Sequence, residues 1–362
     1  MREVIKLEDA VLIEILKLIA PGTILREGLD NILKAKTGAL IVIGDSKEIM
    51  DLVDGGFYIN ENYTASRLYE LAKMDGAIVL SKDVKKILYA NAQLIPSSHI
   101  STQETGTRHR TSERVAKQTG EIVVSISQRR NVITIFKGNF RYILQDTAKV
   151  ITKTNQALQT LEKYKSVFDS KIISLNEYEF DDTVTLDNVI TAIQRAEMVM
   201  RIANEIRRGI YELGEDGRLV EMQLEELVGN TEAEETLIIK DYITSSRKGN
   251  IERILEKIIN LEYDKLMDKS IISHILGYKV TENFEDIGLY TKGYRILSKI
   301  PKMPVNIVQN LVKSFKSFQH VVAATTEQLD DVEGIGEVRA KNIKQSLRRM
   351  QEQFFFDTTV IK

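Results

Sequence analysis

Short apolar runs of strand length recur up to about Leu144 and then stop, and this change of pattern constrains the fold more than any other feature of the chain. Six runs read as strands: Ala39 to Ile43, Ala77 to Leu80, Ile87 to Leu94, Ile122 to Ile126, Val132 to Phe136 and Phe140 to Leu144. Helical stretches alternate with them, which indicates a layered α/β domain built on a mixed sheet. Lys137, Gly138 and Asn139 supply a turn between the last two runs, so an antiparallel hairpin is expected to close the domain. Beyond Asp146 the apolar residues at 151, 158, 161, 168, 172 and 175 are spaced as along a helix, and a second long helix is expected around Val189 to Leu213. No proline falls in residues 146–289 and strand signals are nearly absent there, so this segment reads as an all-α helical spine whose helices pack on one another or on a second copy.

Charge segregates at the same boundaries. The net charge of −2 is the sum of +3 over residues 1–145 (20 basic, 17 acidic), −10 over 146–289 (18 and 28) and +5 over 290–362 (12 and 7). Only the last segment has the sign that nucleic acid attracts, and the middle one repels it. Three domains are therefore expected, at 1–145, 146–289 and 290–362. With 43% hydrophobic and 28% charged residues the composition is that of an ordinary globular protein, and the absence of cysteine excludes disulfides, thiolate chemistry and cysteine zinc sites. Met1 to Glu8 leads into an amphipathic stretch rather than a signal peptide, and no apolar run approaches the length of a membrane span, so a cytoplasmic protein is expected.

Near the C-terminus, residues 332–343 place Gly334, Ile335 and Gly336 between two short helical patterns. Such a turn lets backbone N–H groups approach a phosphate closely, with a helix N-terminus behind them. The run resembles a helix-hairpin-helix motif, which grips a nucleic-acid backbone without reading bases. Thr325 and Gln328 fit a capping box opening the first helix, with Leu329 and Val332 on its apolar face. Val338, Ile343 and Leu347 are expected to pack inward, leaving Arg339, Lys341, Lys344, Arg348 and Arg349 for solvent or phosphate. Residues 301–311 read as an imperfect earlier copy: Met303 aligns with Ile335 and Leu311 with Ile343, while Lys302 and Pro304 replace the glycines. The two hairpins are expected to form one all-α unit in which only the second touches DNA directly.

Two clusters in the first domain carry chemistry. Asp75, Gly76 and Ala77 stand where a helical stretch from Ala65 to Met74 gives way to a strand, and a carboxylate followed by two minimal side chains leaves room for a ligand against the backbone. Thr107, Arg108, His109, Arg110 and Thr111 follow Gly106 and open a helix ending near Gly120, with Thr107 as the expected N-cap. Two guanidiniums, an imidazole and two hydroxyls around exposed helix N–H groups suit a polyphosphate. His99, His274 and His320 stand apart from other ligands and read as surface or packing residues. No Gly-x-x-x-x-Gly-Lys-Ser/Thr loop and no Gly-x-Gly-x-x-Gly fingerprint occurs, which disfavours P-loop and dinucleotide folds.

In this order and spacing, over essentially the whole length, the Asp-Gly-Ala, Arg-His-Arg and Gly-Ile-Gly signatures resemble the DisA family of bacterial DNA integrity scanning proteins, whose N-terminal domain is a diadenylate cyclase. The resemblance implies condensation of two ATP into cyclic di-AMP with release of two pyrophosphates, a Mg²⁺ or Mn²⁺ cofactor, and a homo-octamer in which cyclase domains meet face to face. It implies that Asp75 orients a ribose 3′-hydroxyl, helps remove its proton or holds the metal. Gly76, Ala77 and Leu94 then lie at the nucleoside, with the Leu94 backbone at the adenine. Thr107, Arg108, His109, Arg110, Thr111 and Ser127 lie at the phosphates. Gly334, Ile335, Gly336, Arg339 and Lys341 are the implied DNA contacts, with branched or junction DNA favoured and inhibitory. A non-enzymatic DNA-binding scaffold or repair accessory protein would account for the hairpin and spine and leave Asp75 and the Arg-His-Arg cluster without a role. A nuclease would need clustered carboxylates for its metals, and the first domain offers no obvious set.

Overall fold

The computed structural model describes residues 7–244, 251–279 and 283–361, with side chains described from residue 10 to residue 353. Residues 1–6, on which most of the signal-peptide reading rests, lie outside this range. The chain divides into two compact units, one holding residues 3–156 and 206–222, the other residues 157–205 and 223–362.

The first unit is built on one eight-stranded sheet: β1 (Ala39–Ile43), β2 (Val53–Asp54), β3 (Phe57–Asn62), β4 (Ala77–Leu80), β5 (Lys86–Leu94), β6 (Ile122–Ser127), β7 (Val132–Lys137) and β8 (Phe140–Ile143). The order is β2-β5-β4-β1-β6-β7-β8, with β3 also pairing β5. β1 and β4 run parallel and every other pair is antiparallel, so the sheet is mixed. The helices are α1 (Leu7–Ile19), α2 (Ile24–Lys34), α3 (Lys47–Met50), α4 (Ala65–Leu71) and α5 (Thr107–Thr119). Side chains alternate across the central strands. Ile41, Ile43, Ile78, Leu80, Val124 and Ile126 pack with α1, α2 and α4, whereas Leu40, Val42, Val79 and Val123 pack with α3 and α5. Burial of both faces is why these strands read as continuous apolar runs. The β7–β8 hairpin closes through Gly138 and Asn139, with Lys137 facing Phe140.

β2 and β3 carry no strand signal in the sequence, and their pairing shows why. Val53 faces Leu94, Asp54 faces Gln93, Phe57 faces Ala90 and Tyr58 faces Tyr89, so both are halves of one edge strand on β5, interrupted at Gly55 and Gly56. A Cβ on Gly56 would stand 2.8 Å from the Ala92 Cα. The two glycines look like a turn between elements, and β3 is too exposed to alternate in hydrophobicity.

The remaining helices are α6 (Thr147–Asp181), α7 (Leu186–Leu213), α8 (Arg218–Val228), α9 (Thr231–Tyr242), α10 (Ile251–Ile259), α11 (Tyr263–Met267), α12 (Lys269–Leu276), α13 (Tyr294–Ser298), α14 (Val305–Phe315), α15 (Phe318–Ala323), α16 (Thr326–Asp330) and α17 (Glu337–Ile361). On α6, Leu158, Leu161, Phe168, Ile172 and Leu175 are buried as their spacing requires, but Ile151 is 38% exposed. In the second unit Ile307, Leu311, Phe318, Leu329, Ile343 and Leu347 share one apolar core, so the two C-terminal hairpins pack as a single body.

Candidate functional site

Sheet register brings the chemically loaded residues of the first unit to one end of the sheet. Leu40 faces Ala77, which sets Asp75 and Gly76 just outside β4 beside Gly38. Ala39 faces Ile126, so Ser127 lies at the same end, and Ala77 faces Ala92, which carries Leu94 there too. Helix α5 packs on β6 and joins it through Gly120 in the left-handed region. The tight reversal lays the N-terminus of α5, residues 107–111, over the C-terminal end of β6. Topology thus gathers segments that are up to ninety or so residues apart in sequence.

The side chains meet accordingly. The Arg108 Nη2 lies 3.7 Å from the Asp75 Oδ1, and the Asp75 carboxylate is fully exposed. Arg108 can lie there because Gly38 has no side chain, for a Cβ on Gly38 would overlap its guanidinium. Gly76 is held at φ +92, and a Cβ on it would stand 2.8 Å from the backbone carbon of Asn91. Both glycines are demanded by close approach. Helix α4 ends at Leu71 rather than at the expected Met74, and residues 72–74 turn the chain toward Asp75.

The N-cap of α5 is Gly106 and not Thr107, which instead begins the helix. A glycine cap offers no side-chain acceptor, so the N–H groups of the first turn face outward for a ligand. Arg110 and Thr107 are exposed, and Arg108, His109 and Thr111 are half-buried. Burial holds the His109 imidazole below its ordinary pKa; Glu104 opposes this, and Arg130, Arg141 and Arg108 add to it. At neutral pH His109 is therefore an uncharged hydrogen-bonding group. The Ser127 hydroxyl accepts from the Arg130 N–H at 3.2 Å, a local strand-end contact.

The residues that fix the segment before α5 carry no motif of their own. Glu113 accepts from the Thr102 hydroxyl and from the Gln103 N–H, Arg114 donates to the Ile100 carbonyl at 3.0 Å, Lys117 to the Ser101 carbonyl at 3.0 Å, and Arg141 pairs with Glu104 at 2.7 Å. These contacts tie residues 100–104 to the body of α5 and to β8. Nothing in the spacing of these residues marks them, because each pairs across a fold-dependent distance.

In the second unit the Thr325 hydroxyl accepts from the Gln328 N–H at 3.2 Å and the Gln328 side chain accepts from the Thr325 N–H at 2.9 Å, which is the expected capping box. Gly334 is left-handed at φ +83 and its missing Cβ makes room for Ile307, while Gly336 faces open space. Lys302, at the aligned position of the earlier copy, is left-handed as well, at φ 58. Ile335 is buried, Arg339 donates back to the Gly334 carbonyl, and Lys341 pairs with Glu337 at 2.5 Å on the surface. Two expectations fail here. Val338 is 75% exposed and Ala340 fills the inward position, because the helix begins at Glu337 and sets that face. Lys344 donates to the carbonyls of Val322 and Ala324 and so caps α15 instead of projecting freely.

Comparison with known proteins gives a family. Residues 26–140 match the family described as DisA bacterial checkpoint controller nucleotide-binding, and residues 144–285 match the DisA bacterial checkpoint controller linker region. The chain is 57% identical over 351 residues to the DNA integrity scanning protein DisA of Acetivibrio thermocellus, covering 97% of each. It is 53% identical to the protein of that name from Carboxydothermus hydrogenoformans, covering 96% of this chain and 99% of that one. Against the one from Clostridioides difficile identity is 52%, with 97% and 98% covered.

Proposed function

The chain belongs to the DisA family of bacterial checkpoint controllers, with that family's nucleotide-binding domain and linker, and we propose that it is a diadenylate cyclase coupled to DNA sensing. The reading assigns cyclase chemistry to residues 1–145, a spine to 146–289 and DNA binding to 290–362. The observation that carries it is the meeting of Asp75 and Arg108 over Gly38, beside an uncapped helix N-terminus.

In the proposed reaction the 3′-oxygen of one ATP attacks the α-phosphorus of another. An O–P bond forms as the bond to pyrophosphate breaks in line, and a second such step closes the ring, so two pyrophosphates leave. Asp75, exposed and accepting only, orients the 3′-hydroxyl and draws off its proton. Arg108 faces the charge that builds on the phosphate, and His109, Arg110, Thr107, Thr111 and Ser127 with the N–H groups of α5 take the other phosphate oxygens. Gly76 and Ala77 leave the nucleoside room against the backbone, with Leu94 at the adenine.

No cluster of three or more His, Asp or Glu suited to a metal occurs among the described residues. A single exposed carboxylate still fits Mg²⁺ or Mn²⁺, because such hard ions are often held by one or two carboxylates with substrate phosphates and waters completing the shell. Asp75 would hold the ion, which when bound neutralises phosphate charge.

Each chain offers one Asp75 and one Arg108, yet the product has two equivalent bonds. Two subunits facing each other across a two-fold axis satisfy this, within an octamer as the proposed assembly. The Gly334–Gly336 turn grips DNA backbone, and branched forms offer several backbones to one oligomer.

The test is incubation of the purified protein with ATP and Mg²⁺, followed by nucleotide chromatography. Cyclic di-AMP is expected, with Asp75→Asn slower by at least about a hundredfold, on the scale of general-base catalysis. A variant as fast as the wild type removes Asp75 from this role, and a wild type that makes no product leaves the DNA-binding scaffold reading.

A further inference from the structure

The second unit contains a cleft of about 680 Å³ whose described lining includes Lys240, Lys292, Lys313 and Lys316 and no acidic residue. Its floor is apolar, with Ile243 and Val312 both buried. Two of the four ammonium groups are fixed by the fold. Lys292 donates to the carbonyls of Lys240 and Ile243, at 3.1 and 2.7 Å, and the Lys240 Nζ lies 4.0 Å from the centre of the Tyr294 ring. Lys313 and Lys316 stand exposed on the rim.

Two features of these lysines bear on what the cleft holds. Lys240 is the single basic residue between Arg218 and Arg247, in the strongly acidic segment, and it is turned into the cleft. Lys316 closes α14 at φ 65, a left-handed position where glycine or asparagine is favoured and where a lysine works against its own backbone preference. The placement on α14 is also telling. Ile307 and Asn310 meet the Gly334 turn, Asn310 by donating to the Glu333 carbonyl at 2.9 Å. Gln309, Lys313 and Lys316 face the cleft. At about 100° per residue the two faces lie roughly 120° apart around the helix axis.

We propose that this cleft binds the phosphodiester backbone of a second duplex arm, on a face of the C-terminal module separate from the Gly334–Gly336 turn. The inference rests on the DNA-binding reading above and adds to it. A duplex held at the turn lies on one side of α14, so the lysines on the other side are left for a different arm. The two ammonium groups held by the fold lower the ordering cost of binding, and the rim lysines displace counterions from the incoming backbone. Preference for branched DNA then arises within one subunit as well as from the assembly.

The test uses the full chain, a four-way junction and a linear duplex of the same sequence, each titrated with salt. Lys313→Glu with Lys316→Glu, and the milder Lys313→Gln with Lys316→Gln, are compared with Gly334→Glu with Gly336→Glu. Both lysine variants are expected to weaken junction binding, the glutamate pair at least about tenfold, and to lower the salt slope by about two. Linear-duplex affinity and ATP turnover without DNA are expected to stay as in the wild type. If the lysine variants bind both DNAs like the wild type while the glycine variant loses both, the cleft proposal is overturned and the turn retains its role. Equal loss of junction and linear binding in the lysine variants also overturns it, since the lysines then serve the same duplex as the turn. If neither set of changes alters DNA binding, the DNA-binding reading itself fails.

Discussion

Glycines decide where charged groups can stand. Gly38 lies under the Arg108 guanidinium, and its φ is not in the left-handed region, so an alanine there would be resisted chiefly by Arg108 and more mildly by the Ile126 carbonyl, 3.3 Å from the added Cβ. Gly38→Ala is accordingly expected to slow cyclic di-AMP synthesis by about tenfold or more, the scale on which misplacement of a positioning group acts, with little change in melting temperature. Gly76→Ala is expected to differ. Its φ of +92 and its approach to the Asn91 backbone would strain the β4–β5 junction, and a loss of about 1–3 kcal/mol should appear in thermal unfolding together with lost activity. A Gly38→Ala protein as active as the wild type would show that Arg108 has no fixed task.

At the level of elements, a buried ionic cluster joins α6, α9 and α13. The Arg295 guanidinium, with no exposed surface, pairs with Glu179 at 2.5 Å and with Glu234 at 3.5 Å, and the Tyr242 hydroxyl donates to Glu179 at 2.6 Å. The Asp241 carboxylate accepts from the N–H groups of Tyr294 and Arg295, at 2.7 and 2.9 Å, and so caps the short helix α13. Arg295→Met would strand buried carboxylates and is expected to cost about 3–5 kcal/mol in stability by denaturant titration. Burial, and next the charge of Glu179, push the Asp241 pKa up to about 7. The folded chain therefore holds a proton that the unfolded chain releases at ordinary carboxylate pH. This contribution to stability is present at low pH and is lost as pH rises through about 7. Melting temperature is expected to fall between about pH 4 and about pH 7, and Asp241→Asn, although it loses one hydrogen bond, should flatten that dependence. An unchanged slope in the variant would place the titrating group elsewhere.

For the whole molecule, the proposed two-fold arrangement makes activity depend on assembly. Cyclase rate per subunit is expected to fall on dilution to the monomer while ATP still binds, and a rate constant per subunit across that dilution would exclude the shared site. If DNA bound at the turn favours one arrangement of the cyclase, a coupling of about 1–3 kcal/mol changes the rate from several-fold to a hundredfold. Junction DNA is expected to lower synthesis in the wild type and to leave the Gly334→Glu, Gly336→Glu variant unaffected. Equal suppression of both would mean that the turn does not carry the signal.

Whatever depends on neighbours along the chain is legible in the residues alone. Strand runs, the Gly138–Asn139 turn, the capping box at Thr325 and the helix ending at Gly120 are local, and hydrophobic period and turn chemistry specify them within a few residues. So are the signatures at Asp75, Arg108 to Arg110 and Gly334 to Gly336, which carry the family. Which of these meet is settled by the packed fold. That Arg108 reaches Asp75 follows from the parallel pairing of β1 with β4 and the reversal of α5 into β6, and Gly38 matters only because that crossing exists. The same holds for β2 and β3, one edge strand broken by two glycines and recognisable only by its register on β5. It holds too for the lysine cleft, whose residues come from α9, the segment before α13 and the end of α14 and carry no common spacing. Long-range contacts are set by packing and strand pairing, and these leave no period in the sequence from which a partner could be read.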